Sequence, residues 1–441
     1  MSATTTHQRT PSVIANVARG SLGNLVEWYD WHTYAIFSIY FATVFFPKGD
    51  LTAQLLSTAA VFAVGFLMRP LGGWLLGIYA DRFGRRAALS LSVILMGIGS
   101  LLIGATPSYA AIGIAAPILL IVARLLQGLS VGGEFGSSAT YLSEVATPGR
   151  RGFYSSFQYV SIVLGQLIAL AVLLLGQALL TEEQMYEWGW RIPFFIGAAA
   201  SLVVLYLRRH MDESEQFKEE QAAERLAKEE GRVVKKGLRS LFTEYPGEFA
   251  AVFALAIGGT VAFYTFTSYS QRYMVNTAGL SKSEASLVMF GALVLLMVLQ
   301  PLVGHLSDRV GRRKVMAVFA GGGVLLTVPL LTLLGQTTNI ILAFLIVCVA
   351  MVFLSGYTAL AAIVKAEMFP TKVRALGVGL PHALVTATFG GTAETVALAL
   401  KQAGMESAYF WYVTGCIALT GIAVYFIPDT RDNSVLEPKS R

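Results

Sequence analysis

The chain has 441 residues, of which 55% are apolar and only 14% charged. A soluble domain is usually about 25% charged, so this composition excludes an ordinary soluble protein and predicts an all-α membrane protein with many crossings. The net charge of +6 is no nucleic-acid footprint, because the basic residues gather in alternate loops, a topological pattern.

The N-terminus is polar (Thr4, Thr5, Thr6, His7, Gln8, Arg9) and runs straight into a long helix. No short apolar region with a small-residue cleavage site precedes it, so a cleaved signal is not expected. Twelve mostly apolar stretches follow, each of roughly 20 or more residues, enough to cross about 30 Å of hydrocarbon. Numbered as helices 1 to 12, they cover approximately 18–43, 54–79, 87–106, 111–141, 152–179, 190–209, 246–275, 283–305, 314–334, 339–366, 373–399 and 406–427. With both termini cytoplasmic, the external loops and the span ends beside them hold only Lys48, Arg191, Arg272, Lys282 and Lys401, which fixes the orientation by the positive-inside rule. The expected division is an N-terminal six-helix bundle (1–209), a cytoplasmic, partly helical linker (210–245) and a C-terminal six-helix bundle with a short tail (246–441).

Ionisable residues inside spans are costly and mark function by default. Helix 1 carries Glu27 and Asp30 one turn apart, with Tyr34 continuing that face. Helix 2 carries Arg69, which a rise of 1.5 Å per residue sets roughly 18 Å above Asp81 at the cytoplasmic end. Helix 4 carries Arg124 midway and Glu134 roughly 15 Å nearer the cytoplasm. One reading gives Arg69 and Arg124 to an anionic substrate and Glu27, Asp30 and Glu134 to protons, since guanidinium keeps its charge and desolvated carboxylates gain protons. The other pairs the charges internally to hold helices 1, 2 and 4 together. Gln158 and Tyr159 on helix 5 and Tyr264 on helix 7 are softer candidates for the cavity wall. His382 and Glu394 on helix 11 are candidates for the proton path, for which a structural role weighs more.

The loop after helix 2, Gly77 to Arg86 (GIYADRFGRR), returns after helix 8 as Gly304 to Arg313 (GHLSDRVGRR). Glu144 and Arg151 after helix 4 return as Glu367 and Arg374 after helix 10. Two copies in register indicate a chain built twice. Gly77, Asp81, Arg82, Gly84, Arg85, Glu144 and Arg151, with Asp308, Arg309, Arg312, Glu367 and Arg374, are therefore expected to form a cytoplasmic gate of carboxylate–guanidinium bonds. Cys348 and Cys416 lie in apolar segments, and neither a metal site nor a cofactor is expected.

The repeated loops, the Arg124 to Gly128 run (RLLQG) and the six-plus-six topology resemble the major facilitator superfamily over essentially the whole chain. Within it, GNLVEWYDW (Gly23 to Trp31), FLMRPLGGW (Phe66 to Trp74), RLLQGLSVGGEFG (Arg124 to Gly136) and EWGWRIPF (Glu187 to Phe194) resemble the metabolite:proton symporters. The resemblance implies two six-helix bundles in a bacterial inner membrane, functional as a monomer. It also implies proton-coupled import of a carboxylate such as α-ketoglutarate or a related dicarboxylate. Other members carry citrate, shikimate, aromatic acids or zwitterions such as proline and betaine. A sensor that keeps the carrier fold would need an added cytoplasmic domain. An intramembrane enzyme or a self-contained ATP-driven pump lacks support, since HExxH, GxSxG and Walker-type motifs are missing.

Overall fold

Helix 1 runs from Val13 to Phe45, longer than its apolar stretch because its first turns extend beyond it. The computed structural model describes residues 13–47, 51–230 and 237–436. The N-terminal tail, Lys48 and the last residues of the C-terminal tail lie outside the described residues. Among the described residues, eleven further helices are long and apolar enough to cross a membrane; helix 1 carries Arg19, Glu27 and Asp30. Helix 2 is interrupted at Met68, between Leu51–Leu67 and Arg69–Phe83. Pro70 supplies no N–H and crowds the carbonyl four residues back, so the helical ladder breaks beside Arg69. The others are Arg85–Ala105, Ala115–Val145, Arg151–Leu179, Gly189–Arg208, Pro246–Asn276, Lys282–Val310, Arg312–Gln336, Ile340–Ala366, Thr371–Gln402 and Glu406–Phe426. They form two six-helix bundles.

The repeated loops are tighter than the sequence leads one to expect. Most of GIYADRFGRR is helical, and the turn consists of Gly84 alone, at φ 103°; Gly311 has the same φ in the second copy. Residues with a Cβ resist that region. A Cβ would also strike a carboxylate oxygen, Glu213 Oε2 in one copy and Asp429 Oδ2 in the other. Between the bundles, the stretch after helix 6 forms a helix Glu215–Glu229, with Ser214 capping the Phe217 N–H, then a short helix Leu238–Glu244. This segment is not wholly solvated. Phe217 is buried with its ring under the Arg85 guanidinium.

Helices 7 and 11 each contain a π-helical turn, Thr265–Tyr269 and Thr386–Gly390. Such bulges are common at functional sites because they re-aim side chains within a helix. Both lie next to the space between the bundles.

Candidate functional site

A cavity of about 30 Å³ lies between the bundles. Trp28, Arg69, Phe135, Tyr159 and Ile162 wall it from the N-terminal half, and Thr260, Phe263, Tyr264, His382 and Thr386 from the C-terminal half. Arg69, 2% exposed, gives one bond from Nη1 to the Tyr264 hydroxyl at 3.1 Å, across the bundle interface. Its Nε and Nη2 have no hydrogen-bond partner. The guanidinium is held by rings, 4.1 Å from the centroids of both Trp31 and Phe66. Among the described residues no carboxylate forms an ion pair with it. Arginine stacked on aromatics and short of acceptors presents planar donors to an incoming anion.

Arg124 also stacks on Trp31, with its guanidinium carbon 4.1 Å from the centre of that ring and 4.3 Å from that of Tyr34. It is not on the cavity wall. Its Nη1 donates to Gln127 Oε1 at 2.7 Å, Gln127 Nε2 donates to Ser100 Oγ at 3.1 Å, and Ser100 donates to Asp30 Oδ2 at 2.6 Å. The result is an unbroken chain of polar contacts from Arg124 to Asp30, whose Oδ1 is buried without a partner. Glu27 accepts from Ser130. Glu134 accepts from Ser92 and pairs with Arg208 of helix 6 at 2.8 Å. Arg69 thus faces the cavity, while Arg124, Asp30 and Glu27 are not on its wall.

Of the softer candidates, Tyr159 and Tyr264 line the cavity. Tyr34 gives its hydroxyl proton to the Thr58 carbonyl, and Gln158 accepts from Ser138 beside Asn24. Neither is on the wall. Glu394 pairs with Arg272 away from it.

The repeated loops meet on one face, and each locks one bundle to the other. Asp81, at the end of helix 2, accepts the N–H groups of Ala375 and Leu376 at 3.1 Å each, in the first turn of helix 11. Asp308, at the end of helix 8, accepts those of Gly152 and Phe153 at 2.8 and 2.9 Å, at the start of helix 5. A carboxylate there satisfies orphan donors and meets the positive end of the helix dipole. Arg85 grips Glu144 through two nitrogens, 3.2 and 3.1 Å, and reaches Asp81 at 3.2 Å. Arg374 from the other half meets Glu144 at 2.6 Å. The second copy pairs Arg312 with Asp308 at 2.7 Å and Glu367 at 3.5 Å, and the buried Arg151 lies close enough to act on Glu367. Arg82 and Arg309 are exposed and outside both locks. Gly77 stands against the Leu376 backbone, and Gly304 has the Gly152 carbonyl 2.5 Å from where a Cβ would be.

Four partners escaped the sequence reading. Glu213 caps the Arg85 and Arg86 N–H groups, both at 3.1 Å, and Asp429 caps those of Arg312 and Arg313 at 3.1 and 3.2 Å. Ser214 donates to Glu144 and Thr430 to Glu367. They form a further repeat, after helices 6 and 12, but an acid followed by a hydroxyl is too short a signal to find unaided. Burial raises the affinity of both Glu213 and Glu367 for protons, opposed by backbone N–H bonds at Glu213 and by Arg312 at Glu367.

A family model described as "Sugar (and other) transporter" matches residues 17–437. The chain is 50% identical to the alpha-ketoglutarate permease of Escherichia coli (strain K12), over 90% of each chain. It is 35% identical to a citrate-proton symporter of Salmonella typhi, over 92% of each. Among solved structures, the major facilitator superfamily proton:xylose symporter XylE superposes with a TM-score of 0.80 at 19% identity, covering 96% of this chain and 98% of the other. That likeness concerns the fold.

Proposed function

This chain belongs to the sugar (and other) transporter family of the major facilitator superfamily, and on that premise we propose that it imports α-ketoglutarate or a related dicarboxylate together with protons, by alternating access. The observation that carries the substrate class is Arg69: a buried cation on the wall of the central cavity, with two donors unpartnered and, among the described residues, no carboxylate paired with it. Half-identity to an alpha-ketoglutarate permease supports the particular acid.

In this reading Arg69 takes a substrate carboxylate with Tyr264 and Tyr159 beside it. Asp30 is the proton site, and Ser100 and Gln127 link it to Arg124. When Asp30 is ionised it accepts from Ser100, and the chain holds Arg124. Protonation turns the acceptor into a donor and loosens that hold. Trp31, on which both guanidiniums stack, conveys the change to Arg69. Glu27 and Glu134 modulate the same region. The charge balance favours coupling, since a negative interior opposes anion entry by about 2.3 kcal/mol per charge per 100 mV. A dicarboxylate needs two protons to enter as a neutral load.

The face bearing the repeated loops is cytoplasmic in this reading, as are both termini, because the basic residues concentrate there. The locks of Asp81 and Asp308 are then the cytoplasmic gate. The natural setting is a bacterial inner membrane, with the monomer as the working unit, residues 1–209 and 246–441 as the moving bodies and 210–245 as the bridge.

The test is uptake in proteoliposomes under an imposed pH gradient. Labelled α-ketoglutarate should accumulate in preference to citrate, shikimate and proline, and faster with acid outside. Equal counterflow without stimulation by acid removes the proton coupling; preference for proline removes the dicarboxylate.

A further inference from the structure

Lys365, near the end of helix 10, is 1% exposed, and among the described residues it forms no ion pair with a carboxylate. Its Nζ lies 3.1 Å from His382 Nδ1 and 3.3 Å from the Tyr357 hydroxyl, and 5.0 Å from the centre of the Phe135 ring. Phe135 comes from the other bundle and stacks on His382 at 3.7 Å. A buried ammonium without a counter-ion is costly, and this one stands at the bundle interface, behind a residue of the cavity wall.

We infer that Lys365 and His382 form the second anion pole of the cavity, which takes the distal carboxylate of a dicarboxylate whose first carboxylate is on Arg69. An ammonium donating to Nδ1 leaves the ring proton on Nε2. His382, on the wall, thereby offers an N–H donor polarised by the charge behind it. Arg69 and His382 belong to different bundles and line the same cavity. A diacid would bridge the halves, whereas a monoacid would engage only one. Phe135 holds the pole closed in the present state and leaves it as the bundles separate. This inference rests on the transport reading above and deepens it.

The experiment uses the full chain in proteoliposomes and compares α-ketoglutarate with α-ketovalerate, the same 2-oxo acid without the second carboxylate. Wild type should bind α-ketovalerate at least about tenfold more weakly, since a site built for a group rejects the analogue that lacks it. Lys365→Met and His382→Phe should each raise KM for α-ketoglutarate by about tenfold to a hundredfold, the range for a lost hydrogen bond to a charged group. The inhibition constant of α-ketovalerate should stay within about twofold, and Lys365→Arg should restore most of the discrimination. Equal weakening of both acids, or an unchanged ratio, overturns the inference and leaves the cluster as packing. If Lys365→Met does not fold, His382→Phe, which keeps the stack on Phe135, decides alone. Failure of wild type to accumulate α-ketoglutarate overturns the transport reading and this inference with it; lost discrimination with uptake retained isolates the subsite.

Discussion

Arg69 and Arg124 both stack on one indole, Trp31, yet the two identical side chains have different surroundings. Both guanidiniums leave Nε and Nη2 unpartnered, but Arg69 lines the cavity whereas Arg124 is off its wall and gives Nη1 to Gln127. Arg69→Gln should therefore reduce uptake by at least about a hundredfold, because an amide offers neither the charge nor the planar fork. Tyr264→Phe removes only the 3.1 Å bond that orients the guanidinium. It should raise KM by about fivefold, the worth of one ordinary hydrogen bond. Wild-type kinetics in Arg69→Gln would dismiss it as the anion site. Among the lock residues, Glu367 allows a pH prediction. Its folded-state pKa is raised above 4.5 by burial, so the native state binds a proton that the unfolded chain has already released. Stability must then fall as pH rises from 4.5 through the raised value. Glu367→Gln should flatten that part of a melting-temperature profile, whereas an identical slope in the variant would assign the titration elsewhere.

At the scale of elements, the two locks are one device used twice: the carboxylate at the end of helix 2 or 8 caps the first turn of helix 11 or 5 in the opposite bundle. Asp81→Asn and Asp308→Asn should have like effects, since each removes an anion from a helix N-terminus where charge contributes about 0.3 to 2 kcal/mol. Opening can be read with a single cysteine at Ser156, buried beside Gly304, after Cys348 and Cys416 are replaced. Asp81→Asn should speed its labelling although Ser156 belongs to the other lock, because rigid bundles open both together. Labelling that rises only in Asp308→Asn would mean the locks work separately. The sequence made these locks legible because charges beside apolar spans are few and their repetition in register is conspicuous. It also set Arg69 well above Asp81, and Arg124 above Glu134, since helix rise converts position into height. It was silent on azimuth around the bundle axis, so which arginine reaches the cavity wall could not be read. Lys365 escaped for a related reason: a lysine at the end of a span resembles an ordinary inside-facing cation until its burial is seen.

At the scale of the molecule, the cavity and the locks constrain each other. About 30 Å³ holds roughly two waters and no five-carbon diacid, so this state is tightly packed around the site and the bundles must separate to load it. The locked face is sealed by backbone contact: a Cβ at Gly136 of helix 4 would lie 2.6 Å from the Ala375 carbonyl oxygen and 2.7 Å from Gly379 Cα, both in helix 11. Neither backbone can yield without displacing its helix. Gly136→Leu should consequently act as a wedge that forbids closure on this face while leaving the opposite face able to close. Such a protein presents its cavity to one side only. It should bind α-ketoglutarate from that side with an affinity within about tenfold of wild type, because binding draws on a population that the wedge enlarges. Counterflow, which needs both faces to open in turn, should vanish. Binding by calorimetry in detergent and exchange in proteoliposomes separate the two. Loss of both together would mean that Gly136 is needed for folding and not for closure; retained exchange would mean that helices 4 and 11 need not touch in the transport cycle.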